Sequence, residues 1–185
     1  QYQLSVRKFS GGNWSYVGSP GFTTNFGGTY ADIDLDLDGN DVPFVSYTAN
    51  TSKSYVQMFN GTSWVLVGGG SISASNSFNV SLTIDNTNKP CVFFSDATVS
   101  VKGSAKRFDG TNWVYVGSAG FTASTIARPD FEFDPTTNFF YASYSDQSIG
   151  GKVTVKNFNG TNWSTVGTTG FSAGYVQMTD VIIDS

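Results

Sequence analysis

The chain has 185 residues, 39% of them hydrophobic and only 13% charged, with a net charge of -4 and a sequence pI near 4.5. That is enough apolar side chain for a core, but about half the usual charged share, so Ser, Thr, Asn and Gly must build the surface. The acidic balance argues against a sequence-independent grip on nucleic acid and disfavours anionic partners, the lack of any run of 18 apolar residues excludes a spanning helix, and a single cysteine, Cys91, excludes an intrachain disulfide.

The elements follow a pattern that is set in the first few residues. A strand over Leu4 to Phe9 runs into a Gly-containing turn and a second strand over Trp14 to Val17. The phrase joining them, Phe9-Ser-Gly-Gly-Asn-Trp14, returns as Phe59-Asn-Gly-Thr-Ser-Trp64, Phe108-Asp-Gly-Thr-Asn-Trp113 and Phe158-Asn-Gly-Thr-Asn-Trp163. The tryptophans are 50, 49 and 50 residues apart. A period of about 49 residues marks stacked supersecondary units, and Asn-Gly or Asp-Gly supplies the positive φ that a tight hairpin needs.

After the second strand comes Gly18 to Phe22 (Gly-x-x-Gly-Phe), repeated at Gly117 to Phe121 and Gly167 to Phe171 and altered to Gly68-Gly-Gly-Ser-Ile72 in between. This segment crosses to the next unit. An alternating strand follows each crossing: Ile33, Leu35 and Leu37; Val80, Leu82 and Ile84; Phe131 and Phe133; Val181 and Ile183. Alternation of this kind predicts strands with one apolar face. Each strand ends at an aspartate (Asp38, Asp85, Asp134, Asp184), which in the first three repeats opens a turn into a further strand at Pro43 to Tyr47, Pro90 to Phe94 or Phe139 to Tyr144. The remaining strands before the hairpin turns are Tyr55 to Phe59, Ser104 to Phe108 and Val153 to Phe158, followed by Trp64 to Val67, Trp113 to Val116 and Trp163 to Val166.

The reading is therefore all-β: one repeat domain over residues 1–185, with three complete four-stranded antiparallel blades and a split fourth. The fourth has an inner strand at Thr179 to Asp184 and outer strands at Leu4 to Val17, but no second strand. Either Gln1-Tyr2-Gln3 does something unexpected, or the array continues, or a neighbouring chain supplies the missing strand. An open apolar edge at Val181, Ile182 and Ile183 invites such pairing.

The repeat written as Val155-Lys-Asn-Phe-Asn-Gly-Thr-Asn-Trp-Ser-Thr-Val-Gly-Thr-Thr-Gly-Phe-Ser-Ala-Gly174 resembles the tandem β-propeller repeats of large secreted and surface proteins of bacteria, notably the Bacteroidota. In those relatives it runs on into an Asp-containing turn and a Pro-x-Val-x-Tyr strand, matched here by Asp38 to Tyr47 and more loosely by Asp85 to Phe94. The resemblance covers essentially the whole chain and implies a propeller or part of one, secreted or at the cell surface, serving adhesion, glycan contact or spacing.

Chemistry is sparse. There is no histidine, so the commonest general base and neutral metal ligand are missing. Cys91 reads as a buried thiol. Asp130, Glu132 and Asp134 could in principle act as paired hydrolytic carboxylates, but they read more simply as a solvated strand face. The acidic run from Asp32 to Asp41 has Gly39 at the sixth position of a calcium loop counted from Asp34, yet Val45 stands where the bidentate Glu belongs. No metal or cofactor is expected.

Stacking the inner strands gives two polar columns, Asp34, Ser81, Asp130 and Asp180, then Asp36, Thr83, Glu132 and Ile182. The residues Asp34, Asp36, Ser81, Thr83, Asp130, Glu132 and Asp180 are the candidate ligand-binding set, able to hydrogen-bond sugar hydroxyls or merely to satisfy nearby backbone groups. The tryptophans read as packing residues partnered by the hairpin phenylalanines. The sequons at Asn13, Asn50, Asn60, Asn79, Asn159 and Asn162 read mostly as by-products of turn chemistry. The function expected is a non-catalytic extracellular binding or adhesion module, with a glycan or another surface protein as partner. The alternatives are a filament or spacer subunit that self-associates through strand edges, and a lectin with repeated sites.

Overall fold

A computed structural model describes residues 2–23 and 32–184; Gln1, at the start of the expected array, and Ser185 lie outside the described residues. It is all-β. A two-stranded hairpin, β1 (Arg7–Ser10) and β2 (Asn13–Tyr16), precedes three four-stranded antiparallel sheets. The first holds β3 (Ile33–Leu37), β4 (Pro43–Thr48), β5 (Ser54–Phe59) and β6 (Trp64–Leu66). The second holds β7 (Ser77–Ile84), β8 (Pro90–Asp96), β9 (Lys102–Phe108) and β10 (Trp113–Tyr115). The third holds β11 (Ile126–Asp134), β12 (Phe139–Asp146), β13 (Lys152–Phe158) and β14 (Trp163–Thr165). In each sheet the strands are hydrogen-bonded in chain order, so every connection within a sheet is a hairpin.

Local chemistry sets the turns. At the last hairpin of each sheet a side-chain carbonyl or carboxylate caps the turn: Asn60 Oδ1 accepts from the amides of Thr62 and Ser63, Asp109 Oδ1 from Thr111 and Asn112, and Asn159 Oδ1 from Thr161 and Asn162. The glycine that follows has φ of +93°, +112° and +90° at Gly61, Gly110 and Gly160, a region L-residues avoid. The first hairpin of each sheet uses the expected aspartates, with Asp38 accepting from the Asn40 and Val42 amides, Asp85 from Thr87 and Lys89, and Asp134 from Thr136 and Thr137.

Packing lies between successive sheets. Phe44, Val56, Val67 and Ile72 of the first sheet and its crossing meet Val80, Leu82, Val92 and Phe94 of the second. Cys91, Phe93, Ala105 and Val116 then meet Ile126, Phe131, Phe140, Ala142 and Tyr144. A smaller cluster joins the β1–β2 hairpin to the first sheet through Val45, Tyr47 and Ala49, with Leu4, Val6, Phe22 and Trp64 against it. The altered crossing still packs, with Ile72 buried where the other repeats carry phenylalanine. Burial keeps Cys91 protonated by raising its thiol pKa, with Asp85 adding to the effect.

Two expectations are corrected. Thr179 to Asp184 belongs to no strand: among the described residues it has no ladder partner, and the Val181 amide donates to the Asp130 carboxylate instead. Residues 4–6 likewise precede β1 rather than forming part of it. They are held instead by single bonds, with Leu4 O accepting from the Phe22 amide and Val6 O from the Val17 amide.

Candidate functional site: the polar column between the inner strands

The strands β3, β7 and β11 lie side by side, each the first strand of its sheet. The apolar residues of β7 and β11 pack on the preceding sheet, whereas Ile33, Leu35 and Leu37 of β3 are about half exposed. The alternate positions are where the sequence placed its columns. The carboxylates reach across to the next repeat and accept backbone hydrogen bonds: Asp34 Oδ2 from Leu82 N of β7 at 2.8 Å, Asp36 Oδ2 from Ile84 N of β7 at 2.8 Å, and Asp130 Oδ2 from Val181 N of the C-terminal segment at 2.7 Å. Side chains thus do between sheets what a ladder does within one. Ser81, the small member of the first column, donates to Asp34 Oδ2 at 2.9 Å and lies 3.4 Å from Asp130 Oδ1.

Asp34, Ser81, Asp130 and Asp180 come together around one cavity of about 430 Å³, which Asp32, Arg128, Gln177 and Thr179 also line. Ile33, Val80, Pro129 and Met178 form its apolar wall. Asp36 and Glu132 sit one step along the strands, and Thr83 is buried at their level. Asp134 is not part of this group, since its carboxylate caps its own turn and accepts from Thr137 Oγ1 at 2.5 Å. Asp130 and Glu132 are half-buried rather than on a solvated face.

Crowding of like charges shapes the titration. Burial raises the Glu132 pKa to about 7, and the charges of Asp130, Asp36, Asp34 and Asp180 add to it. Burial likewise raises Asp130; the Val181 amide opposes this, while Asp34 and Asp180 reinforce it, the latter also through a hydrogen bond between the two carboxyl groups. Asp36 is raised by burial against the Leu37 and Ile84 amides. Among the described residues no group of three or more acidic, histidine or cysteine side chains has the geometry to hold a metal ion.

The sequence did not point to Asp32, Arg128, Gln177 and Thr179 as lining residues. Arg128 and Asn79 occupy the same place in β-bulges of β11 and β7, with φ of +52° and +50°. Asn79 uses its amide to bridge the second and third sheets, donating to Ser95 Oγ at 3.0 Å and to the Ile126 carbonyl at 3.2 Å. Arg128 instead turns to the cavity, where its charge lowers the burial-raised pKa of Asp32. Its carbonyl accepts a hydrogen bond from Thr179 Oγ1, which ties the C-terminal segment to β11. A left-handed arginine is an outlier and bulges cluster at functional sites, but no pattern in the sequence announces either.

No family model matches the chain, and neither does any curated protein. Among solved structures it is similar to a fucose lectin from Kordia zhangzhouensis in complex with methyl-fucoside, at 13% identity with a TM-score of 0.48, over 75% of this chain and 99% of that one. It is also similar to a protein of unknown function from Dyadobacter fermentans (13% identity, TM-score 0.59, 90% of this chain) and to the α-L-arabinofuranosidase Arb93A from Fusarium graminearum with an iminosugar inhibitor (11%, 0.53, 82%). The chain spans 59% and 52% of those two chains, and the likeness to them is one of fold alone.

Proposed function

We propose that the chain is a β-propeller of tandem-repeat type, secreted or at the cell surface, acting as a non-catalytic binding module for a polyhydroxylated ligand, a glycan, at the cavity between the inner strands. The observation that carries the reading is convergence: four repeats each send one residue of the same column, Asp34, Ser81, Asp130 and Asp180, to one cavity. Acceptors (Asp32, Asp180), donors (Arg128) and groups of both kinds (Gln177, Thr179) alternate there with the apolar Ile33, Pro129 and Met178. That mixture suits a sugar, which presents hydroxyls at its edge and C–H groups on its face. The non-catalytic part of the proposal is supported by how the carboxylates are used. Asp34, Asp36 and Asp130 are engaged by backbone amides, and no histidine is available to move a proton.

Glycan-array screening of the 185-residue chain followed by calorimetry on the best ligand tests this. Arg128→Asn, which keeps a residue tolerant of positive φ, and Asp180→Ala should each weaken binding by about tenfold or more while shifting the melting temperature by no more than a few degrees, as exposed substitutions do. Absence of glycan binding, or binding that both variants retain, would refute the reading.

A further inference from the structure

The hairpin β1–β2 with its flanks and the first sheet enclose a second, largely apolar groove of about 510 Å³, lined by Val6, Lys8, Val17, Leu35, Leu37 and Phe59, with Pro43 and the charged Arg7 and Asp41 also on its lining. Each of the first six has a counterpart one repeat later: Val56, Met58, Val67, Leu82, Ile84 and Phe108. Those counterparts form one cluster, and there the set is closed by a further member, Phe44 of β4. One repeat on again, Ala105, Val116, Phe131, Phe133 and Phe158 are closed by Cys91 of β8. The groove beside β1 has these walls, and among the described residues no side chain from a second strand closes it.

The backbone agrees. Both β5 and β9 are paired on two sides, to β4 and β6 and to β8 and β10, whereas β1 pairs only with β2 among the described residues. The apolar face of β3 is left uncovered as a result, with Leu35 47% exposed against 4% for its counterpart Leu82.

We infer that this groove is an acceptor site for one β-strand, bound antiparallel to β1, whose alternate side chains enter the groove as Phe44 does between the first and second sheets. The occupant is a strand of the chain's own second-strand chemistry, a Pro followed by apolar and aromatic residues as in Pro43-Phe-Val-Ser-Tyr47. The warrant is that the resident strands β4 and β8 already fill the equivalent space in the two complete interfaces. Main-chain bonds to β1 would supply affinity and the alternate side chains selectivity, as in recognition by strand addition.

The test adds a synthetic peptide copying residues 41–49 to the 185-residue chain and follows binding by calorimetry and thermal melts. One peptide should bind per chain and raise the melting temperature. The same peptide carrying Phe44→Asp should bind about tenfold more weakly or worse, as expected for loss of a buried aromatic anchor. On the receptor side Leu35→Asp, at an exposed position, should abolish binding while leaving the far-ultraviolet circular dichroism unchanged. A peptide that neither binds nor stabilises would overturn the proposal, as would binding that survives both substitutions. Self-association of the chain that the peptide does not displace would also overturn it, and would assign the groove to a second copy.

Discussion

Trp64 and Trp163 are anchored at both ends of the indole. Trp64 donates its Nε1–H to the Val17 carbonyl at 2.8 Å and stacks on Phe22 at 4.3 Å; Trp163 donates to Val116 at 2.9 Å and stacks on Phe121 at 3.9 Å. Each also meets the phenylalanine across its own hairpin, at 5.7 Å for Phe59 and 5.4 Å for Phe158. The glycine ending the preceding repeat makes room, since a Cβ on Gly18 would stand 2.8 Å from Phe59 and one on Gly117 2.7 Å from Phe158. We therefore expect Trp64→Ala or Trp163→Ala to cost about 3 kcal/mol, the lower end of the range for a large aromatic, because both rings are only half-buried. Trp14→Ala, at an exposed ring, should change stability by no more than about 0.5 kcal/mol. Urea titration of the three variants checks this; equal costs at all three positions would contradict the packing account.

The inner strands carry the pH response. Glu132 has a folded pKa of about 7 against an ordinary 4.5, so the folded protein holds this proton more tightly than the unfolded chain. Stability from its neutral form is complete below about 4.5 and is lost as pH rises through about 7. Asp85 and Asp96 behave oppositely. Burial would raise each, but hydrogen bonds from Thr87 and Arg107 to Asp85, and from Thr98 and Tyr115 to Asp96, outweigh it and hold both below the ordinary carboxylate value. Their contribution is lost as pH falls through those depressed values. Maximum stability should thus fall in the weakly acid range, and Glu132→Gln should flatten the decline on the neutral side; a decline identical to the parent's would show that Glu132 is not its source.

The inner strands also mark how far the sequence could be read. Strict alternation made β3 and β7 legible, the polar columns came from simple register, and Asp34, Ser81, Asp130 and Asp180 do meet. Arg128, Gln177 and Thr179 were not legible, because they reach the cavity through the bulge of β11 and through the placement of the segment after β14, while Asp32 lies just before β3. The strand expected at Thr179 to Asp184 failed for a related reason: its side-chain pattern is that of a strand, but a ladder needs a neighbour.

At the scale of the whole molecule the repeat is regular wherever both partners are present and open where one is not. Trp14 is 64% exposed and Phe171 60% exposed, although they correspond to the stacked pairs Trp64 with Phe22 and Trp163 with Phe121. The seat is empty as well. A Cβ on Gly167 would meet nothing within 4 Å, whereas one on Gly18, Gly68 or Gly117 would strike the Phe and Trp of the next repeat.

This unmatched ring makes the protein its own optical probe. Of four indoles, three are hydrogen-bonded to carbonyls and packed on neighbours, and Trp14 faces water. Its emission should be red-shifted and open to quenching by iodide, and the Trp14→Ala variant should lose that component. Seating Trp14 on Gly167 and Phe171, whether of its own chain or another, would turn the red component blue and shield it from the quencher. Dilution separates the two cases, because closure within one chain is indifferent to concentration and joining of two is not. A parent spectrum without any quenchable fraction at high dilution would mean that the seam is already shut.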